Sequence, residues 1–437
     1  MFRIRHHRSV STQTDHQPEH SHAPGGWRVL APFRFREYRL LIAALSIVIF
    51  AEGMWTVVMA LEVIQLTHDP SALSLVAACL SVGLVAFVLV GGIAADRIPQ
   101  RTIIIGVEAV NTVAVGSVAL LGATDRLQIW HMAVAAAVLG IAAAFFFPAY
   151  SAYLPRILPA EQLLAANGVE GVVRPVLQRA AGPAVAGVLV GATFPTLGAG
   201  AVAVLFALAL GLLVATRPAT GRPVTEPTGR PHLLDDLRAG LRFVVGTPWL
   251  LATVLFATGA VLLIIGPIEV LLPFVTAERF ADGARMYGFA LTAYGIGGAL
   301  GALAVSSGRL PRRYLTVMML MWGLGSLPLV LVGATWSFPV MATALFVIGV
   351  TDGAGMVIWG TLLQRRVPAA MLGRVSSLDF FVSLALMPVS MAIAGPLSKV
   401  VSMQTIFTVA GLGPIVLAVI ALLAARMPHD EIAHPLR

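Results

Sequence analysis

The chain has 437 residues, of which 58% are hydrophobic and only 11% charged, and its mean hydropathy is +0.88. Soluble domains carry about 25% charged residues, so the composition excludes an ordinary soluble protein and indicates one that lies mostly within a bilayer. The net charge of +8 suggests nucleic acid, but the positive residues fall in short loops, which is a topology signal. The single cysteine, Cys79, excludes a disulfide framework.

Residues 1–37 are polar and rich in histidine and arginine. Histidines in such number suggest metal binding, yet nothing there can pack a core, so we predict a disordered cytoplasmic tail and no metal site or cofactor. Twelve apolar segments follow, each about the 20 residues needed to cross a bilayer. We number them spans 1 to 12 and predict them at 38–66, 73–95, 102–122, 128–150, 165–191, 196–216, 249–274, 286–306, 314–333, 337–359, 376–400 and 405–425.

The spans divide into two groups of six, at residues 38–216 and 249–425. Between them, residues 217–248 begin as a Gly/Pro-rich linker and end with leucines at helical spacing, which predicts an amphipathic helix on the membrane surface. Residues 426–437 are predicted to be a second cytoplasmic tail. The sequence thus predicts an all-α membrane protein with two six-helix halves.

The two halves repeat short motifs in the same order. Phe50 to Gly53 (FAEG) recurs as Phe256 to Gly259 (FATG), and Asp96 to Arg101 (DRIPQR) recurs in degraded form as Gly308 to Arg313 (GRLPRR). Each match is short, but the common offset of about 210 residues indicates homologous, pseudo-symmetric halves.

Basic residues predict the orientation. Of the 29 lysines and arginines, 23 fall on the side of the N-terminal tail and 4 on the opposite side, with Arg174 and Arg179 inside span 5. Cytoplasmic loops carry the excess of basic residues, so both termini are predicted to be cytoplasmic, in the inner membrane of the cell.

The loop between spans 2 and 3 resembles a known family. The residues Gly92, Asp96, Arg97 and Arg101 form the pattern G-x-x-x-D-R-x-x-x-R, which is similar to the loop joining helices 2 and 3 in the major facilitator superfamily of transporters. In that family the aspartate faces the N-terminus of helix 11, whose amides attract an anion. The resemblance therefore implies a conformational gate on the cytoplasmic side, to which Arg97 and Arg101 contribute. The alternative reading makes both arginines topology signals only.

Two further segments refine the resemblance. Phe147 to Pro155 (FPAYSAYLP) followed by Leu163 to Gly168 (LLAANG) resembles the drug:proton antiporter group, which includes macrolide and tetracycline efflux pumps and the enterobactin exporter. Gly182, Pro183 and Gly187 resemble the antiporter motif of helix 5, and we assign them to helix packing and rocking. The resemblance extends over residues 34–426. One departure is that span 4, at 128–150, lacks the arginine that many drug antiporters carry there.

Four acids inside spans are candidates for proton coupling. An acid in hydrocarbon costs several kcal/mol and usually faces a cavity or a partner. Glu52 and Glu62 lie in span 1, Glu269 in span 7 and Asp352 in span 10, and the resemblance implies that these helices line the cavity. We rank Glu52 first and Asp352 second because they lie nearest to the middle of their spans. For Glu62 and Glu269 the alternative is a position at the outer interface, with the carboxylate reaching water.

These features predict a secondary transporter that exports amphipathic small molecules by alternating access, with protons as the coupling ion. The chain has no P-loop and no cluster of metal ligands, so we expect neither an enzyme nor an ATP-driven pump. The alternatives are an uptake permease for a small metabolite and a non-transporting receptor on the same fold. The expected partners are a small-molecule substrate, protons and the lipid bilayer, with no nucleic acid, and the chain is expected to be a monomer.

Overall fold

The computed structural model describes residues 28–217, 233–308 and 310–436. Within these residues the chain is helical and contains no strand. Eleven helices are long and apolar enough to cross a membrane. The histidine-rich part of the predicted tail and the Gly/Pro-rich linker lie outside the described residues.

Each half follows the predicted order of spans. Spans 1 to 4 and 6 of the first half are Arg36–Leu66, Pro70–Arg97, Gln100–Ala123, Ile129–Ile157 and Pro195–Val214. Spans 8, 10 and 12 of the second half are Gly283–Ser306, Phe338–Arg366 and Met403–Ala424. Two of the spans are interrupted: span 9 by a break between Tyr314–Gly325 and Leu329–Ala334, and span 11 by a break between Ala369–Leu384 and Met387–Ser398.

Spans 5 and 7 each contain a π-helical turn. Span 5 runs through Ala160–Arg174, the π turn Pro175–Ala181 and Gly182–Ala192. Span 7 runs through Pro248–Gly266, the π turn Pro267–Leu271 and Leu272–Arg279. Span 5 is the predicted span that does not reach the hydropathy of a membrane-crossing helix, because its charged residues Glu170, Arg174 and Arg179 dilute the apolar run.

Contacts within the halves repeat as the sequence symmetry predicts. Span 2 packs closely on span 4 in the first half, and span 8 packs in the same way on span 10 in the second. Glycines permit both approaches: a Cβ on Gly140 would lie 2.9 Å from a backbone carbon of Leu80, and one on Gly349 would lie 2.9 Å from the backbone of Tyr294. Small residues of this kind let membrane helices approach closely.

The start of span 1 and the last helix, Met427–Ala433, lie at the same end of the bundle, which we call the terminal face; the opposite end is the distal face. Near the distal face the two halves meet along two pairs of spans, 2 with 11 and 5 with 8. Span 2 begins there with Asp69, which accepts a hydrogen bond from the Ser71 N–H at 2.9 Å and precedes a proline at the first helical position. Both features are favourable at helix starts.

Among the described residues, three helices lie outside the twelve spans. The 3-10 helix Arg28–Arg34 falls within residues 1–37, predicted as a disordered tail, and packs against Ala160–Arg174 of span 5. The predicted amphipathic helix of the linker is present at Leu233–Gly246. Residues 426–437, predicted as a tail, contain the helix Met427–Ala433, which packs against the second half. Its Glu431 is 1% exposed and accepts hydrogen bonds from the backbone N–H groups of Leu315 and Thr316 at the start of span 9.

Large apolar side chains are exposed on the outside of the spans. Val113 of span 3, Leu208 of span 6 and Leu423 of span 12 are each more than half exposed. Extended apolar surface of this kind is rare on soluble monomers and suits contact with lipid.

Candidate functional site

Glu52 lies near the middle of span 1 and faces span 5. Its carboxylate accepts a hydrogen bond from Gln178 Nε2 at 2.8 Å. Spans 1 and 5 come close at this point because Gly53 has no side chain: a Cβ there would lie 3.0 Å from the Cα of Gln178. The second-half counterpart, Thr258, donates to the Val382 carbonyl of span 11 at 3.1 Å. The pairing of spans 1 and 5 therefore recurs in spans 7 and 11, with a hydroxyl in place of the acid.

Asp352 belongs to a cluster that joins the two halves. Tyr294 of span 8 donates its hydroxyl to Asp352 Oδ2 at 2.8 Å. Arg179 of span 5 approaches the same oxygen at 3.7 Å, and its guanidinium lies 5.8 Å from the centre of the Tyr294 ring. Arg179 belongs to the first half and its two partners to the second, so this ion pair bridges the halves.

Glu269 and Glu62 differ in their surroundings. Glu269 lies in the π turn of span 7, within electrostatic range of Arg179. Glu62 is 2% exposed and packs inside the bundle. Neither acid is fully exposed, which disfavours the alternative of an acid reaching water from the outer interface.

The two π turns carry charged residues toward the same region. Each begins with a proline, Pro175 in span 5 and Pro267 in span 7, and they contain Arg179 and Glu269 respectively. A proline lacks the N–H needed for a regular helical hydrogen bond, and π-helical turns are frequent at functional sites. The irregular turn of span 5 ends at Ala181, so Pro183 lies in the regular helix that follows it.

The three motif residues of span 5 contact two different neighbours. A Cβ on Gly182 would lie 2.8 Å from the Cα of Gly53 in span 1. A Cβ on Gly187 would lie 2.9 Å from the Cα of Gly288 in span 8. Pro183 is buried between them. Span 5 is therefore packed against its own half at Gly182 and against the other half at Gly187.

The gate motif lies at the terminal face. Gly92 has open space where a Cβ would be, and Arg97 is exposed. Arg101 donates to Thr216 Oγ1 at 3.0 Å and to the Val214 carbonyl at 2.8 Å, at the end of span 6. In this conformation Arg101 thus binds the end of span 6, within its own half. The side chain of Asp96 lies outside the described part of the chain.

Three further charged residues lie inside the spans. Arg174 pairs with Glu170 of the same helix at 2.8 Å. Glu108 of span 3 is fully buried, and its carboxylate oxygens have no hydrogen bond to any described residue. Asp379 of span 11 accepts hydrogen bonds from Trp359 at 3.0 Å and Ser383 at 3.2 Å. The sequence could have indicated Asp379 as a candidate site residue, because it is an acid within an apolar span.

No group of three potential metal ligands occurs among residues 28–217, 233–308 and 310–436. A groove of about 440 Å³ opens between spans 3 and 4, and its lining is apolar apart from Ser117, Trp130 and His131. None of the acids discussed above lines this groove. His131 instead accepts the Gln128 backbone N–H at the start of span 4.

Comparison with known sequences gives a consistent result. The family model of the Major Facilitator Superfamily matches residues 41–388. The chain is 27% identical over 400 residues to the enterobactin exporter EntS of Escherichia coli, covering 88% of this chain and 91% of that one. The corresponding exporter of Escherichia fergusonii matches to the same extent.

Solved transporter structures have the same fold. The nucleoside transporter NupG superposes with a TM-score of 0.66 at 13% identity, covering 91% of this chain and all of that one. A bacterial homologue of the human lysosomal transporter Spinster, in an inward-facing and unoccupied conformation, superposes with a TM-score of 0.65 at 14% identity. That match covers 94% of this chain and 99% of the other.

Proposed function

Because this chain belongs to the major facilitator superfamily, we propose that it exports amphipathic small molecules by alternating access, driven by an inward flow of protons. The observation that carries the proposal is a set of acids inside the spans. Glu52 accepts a hydrogen bond from Gln178 of span 5, and Asp352 and Glu269 lie near Arg179 of the same span. Span 5 also contacts span 8 of the opposite half. Protonation of these acids would therefore change the interactions of span 5, which lies at the interface between the two halves.

Export is favoured over uptake by two observations. The curated relatives that match over most of the chain are exporters of enterobactin, so we propose enterobactin-like metabolites as the first substrates to test. Gly182, Pro183 and Gly187 of span 5 resemble an antiporter motif, which favours exchange with protons over uptake. Uptake of a small metabolite remains the second candidate, since NupG is a nucleoside transporter with the same fold.

Glu52 is the residue we propose as the proton carrier. Its hydrogen-bond partner, Gln178, is a neutral amide that can donate to a carboxylate or accept from a carboxylic acid after a rotation of the amide. Protonating Glu52 therefore breaks no direct ion pair. Asp352 is held by Arg179 and Tyr294, and its protonation would weaken a charge pair between the halves. This difference supports Glu52 as the first candidate and Asp352 as the second.

We propose that the terminal face is cytoplasmic, because 23 of the 29 basic residues fall on that side. The halves meet near the distal face. If the terminal face is cytoplasmic, the bundle is open toward the cytoplasm and the conformation is inward-facing. Asp96 and the start of span 11 would come together when the terminal face closes, as the gate motif requires. Arg101, now bound to span 6, would hold the loop in place in both states.

Efflux from proteoliposomes tests the proposal. Vesicles reconstituted with the protein are given enterobactin, with and without a proton gradient, and accumulation against the substrate gradient is measured. Gradient-dependent accumulation supports proton-coupled export. Transport that only equilibrates enterobactin, or that ignores the proton gradient, contradicts proton coupling.

The orientation has its own test. A cysteine introduced at Gly221 in a Cys79→Ala background is expected to resist an impermeant thiol reagent in intact cells and to react in inverted vesicles. Labelling from outside intact cells would reverse the assignment of the faces.

A further inference from the structure

Arg179 has unused hydrogen-bonding capacity at the interface between the halves. Its guanidinium carries five N–H donors, yet among the described residues it donates no hydrogen bond to protein. The nearest acceptor is Asp352 Oδ2, and the distance of 3.7 Å is too long for a hydrogen bond. The side chain is 55% exposed.

Three other arginines at the spans, Arg174, Arg101 and Arg279, differ from Arg179. Arg174 donates to Glu170 at 2.8 Å, and Arg101 donates to the end of span 6. Arg279 donates to three backbone carbonyls, those of Val332, Gly333 and Thr335. Each of these arginines thus donates hydrogen bonds to a structural partner within the protein.

The guanidinium of Arg179 lies beside residues of the opposite half. Its neighbours Tyr294 and Asp352 lie on spans 8 and 10, and Glu269 on span 7, all in the opposite half. A side chain that reaches three helices of the other half points into the bundle. The π turn of span 5 places it there.

We propose that Arg179 binds an anionic group of the substrate, a carboxylate, sulfonate or phosphate, and that Asp352 occupies the guanidinium when no substrate is present. A planar guanidinium suits bidentate binding of such groups. Tyr294 keeps Asp352 hydrogen-bonded after Arg179 turns away, at 2.8 Å from Oδ2. This inference deepens the proposed function, and it assigns the substrate class as organic anions.

The assignment separates the two leading acids. An anion that binds Arg179 displaces Asp352, and the unpaired carboxylate then binds a proton more readily. Substrate binding at Arg179 would therefore favour proton binding at Asp352, whereas exchange requires the two to bind alternately. Exchange of an anion against a proton therefore requires another carrier. Glu52, which pairs with Gln178 in the first half, meets that requirement.

Equilibrium binding tests the inference without any proton gradient, so its outcome is independent of transport. The probes are anilinonaphthalenesulfonate and its uncharged counterpart phenylnaphthylamine, which share a ring system. Fluorescence is titrated with protein in lipid nanodiscs, and the signal of empty nanodiscs is subtracted. The parent protein is compared with Arg179→Gln, Arg179→Lys and Asp352→Asn, and with Arg126→Gln as a control that removes an exposed charge from a loop.

We expect Arg179→Gln to weaken binding of the sulfonate by about ten- to a hundredfold and to leave the neutral probe unchanged. Arg179→Lys should retain part of the affinity, and Asp352→Asn should tighten sulfonate binding because it removes the competing carboxylate. Arg126→Gln should match the parent. The inference is overturned if the sulfonate shows no saturable binding that depends on Arg179, or if Asp352→Asn weakens that binding. If sulfonate binding behaves as expected while proteoliposomes show no proton-driven export, only the proposed coupling fails.

Discussion

Lys399 donates to Asp69 Oδ2 at 2.8 Å, and this ion pair joins the two halves at the distal face. Lys399 follows span 11 and is the only lysine in the sequence. Beside the pair, the buried Ser74 hydroxyl accepts the Gly395 backbone N–H at 2.7 Å. An exposed ion pair and a buried hydrogen bond thus both join spans 2 and 11 at the distal face.

Removing the ion pair should shift the protein toward states that are open at the distal face. We expect Lys399→Met to increase the labelling rate of a cysteine at Ser74, in a Cys79→Ala background, by about 1.4- to fivefold. This range follows because an exposed pair contributes about 0.2–1 kcal/mol. Arg36→Gln is the matched control, since Arg36 pairs with Glu37 within one helix at the terminal face. Equal labelling in all three proteins would show that the pair does not hold the face closed.

The same pair predicts the pH dependence of distal closure. The hydrogen bond from Lys399 is the main cause that lowers the pKa of Asp69 below its ordinary value of 3.8. The stabilising contribution of a carboxylate with a lowered pKa is present above its ordinary pKa and is lost as the pH falls through the lowered one. Asp69 should therefore stay ionised between about pH 6 and pH 8, and its ion pair should not make distal closure depend on pH in that range. The cysteine at position 74 reports this closure. A pH optimum of transport that moves in Lys399→Met would contradict this.

Gly187 and Gly288 form a second distal contact, and it should tolerate no side chain. We expect Gly187→Leu to keep spans 5 and 8 apart, to raise distal labelling and to reduce transport strongly, because the added side chain would overlap the Gly288 backbone. The control is Gly200→Ala in span 6, where no atom lies within 4 Å of an added Cβ. Normal transport by Gly187→Leu would remove the packing role assigned to the antiporter motif.

The sequence predicted most of the fold because a lipid core requires long continuous apolar segments. Span 5 departs from this rule, since Glu170, Arg174 and Arg179 interrupt its apolar run. Those charges have partners on span 5 itself or in the other half. Hydropathy carries no information about such partners.

The details of the site depend on contacts that short-range patterns do not record. Pro175 and Pro267 are visible in the sequence, but the π turns they begin depend on hydrogen-bond register within a packed helix. The candidates Glu52 and Asp352 could be named from their depth in the spans. The pairing of Asp352 with Arg179 could not be predicted from the sequence, because it depends on how the two halves pack against each other. Glu431 was overlooked because its segment is too short and polar to suggest a packed helix.

Glu431 should contribute measurably to stability. Its carboxylate accepts two backbone N–H groups and the Thr316 hydroxyl at the start of span 9, where a negative charge is favoured. We expect Glu431→Ala to lower the free energy of unfolding by about 1–3 kcal/mol, because buried donors lose their acceptor. Thermal unfolding in detergent measures this, with the exposed Glu278→Ala as control. Equal unfolding temperatures for the two variants would mean that the C-terminal helix does not stabilise span 9.

Glu52 is the residue expected to couple proton flow to export. Glu52→Gln keeps the shape of the side chain and a hydrogen bond with Gln178 but has no titratable group. We therefore expect it to bind substrate, to retain downhill exchange and to lose accumulation against a gradient, so that its export rate falls to that of the parent without a proton gradient. The measurement is the proteoliposome assay at matched protein content. Asp352→Asn serves as the comparison, because our assignment makes Asp352 the counter-ion of Arg179 and predicts that proton-driven export survives its neutralisation. If Glu52→Gln concentrates substrate as well as the parent and Asp352→Asn does not, the proton is carried by the acid that bridges the halves, and the roles of the two residues are exchanged.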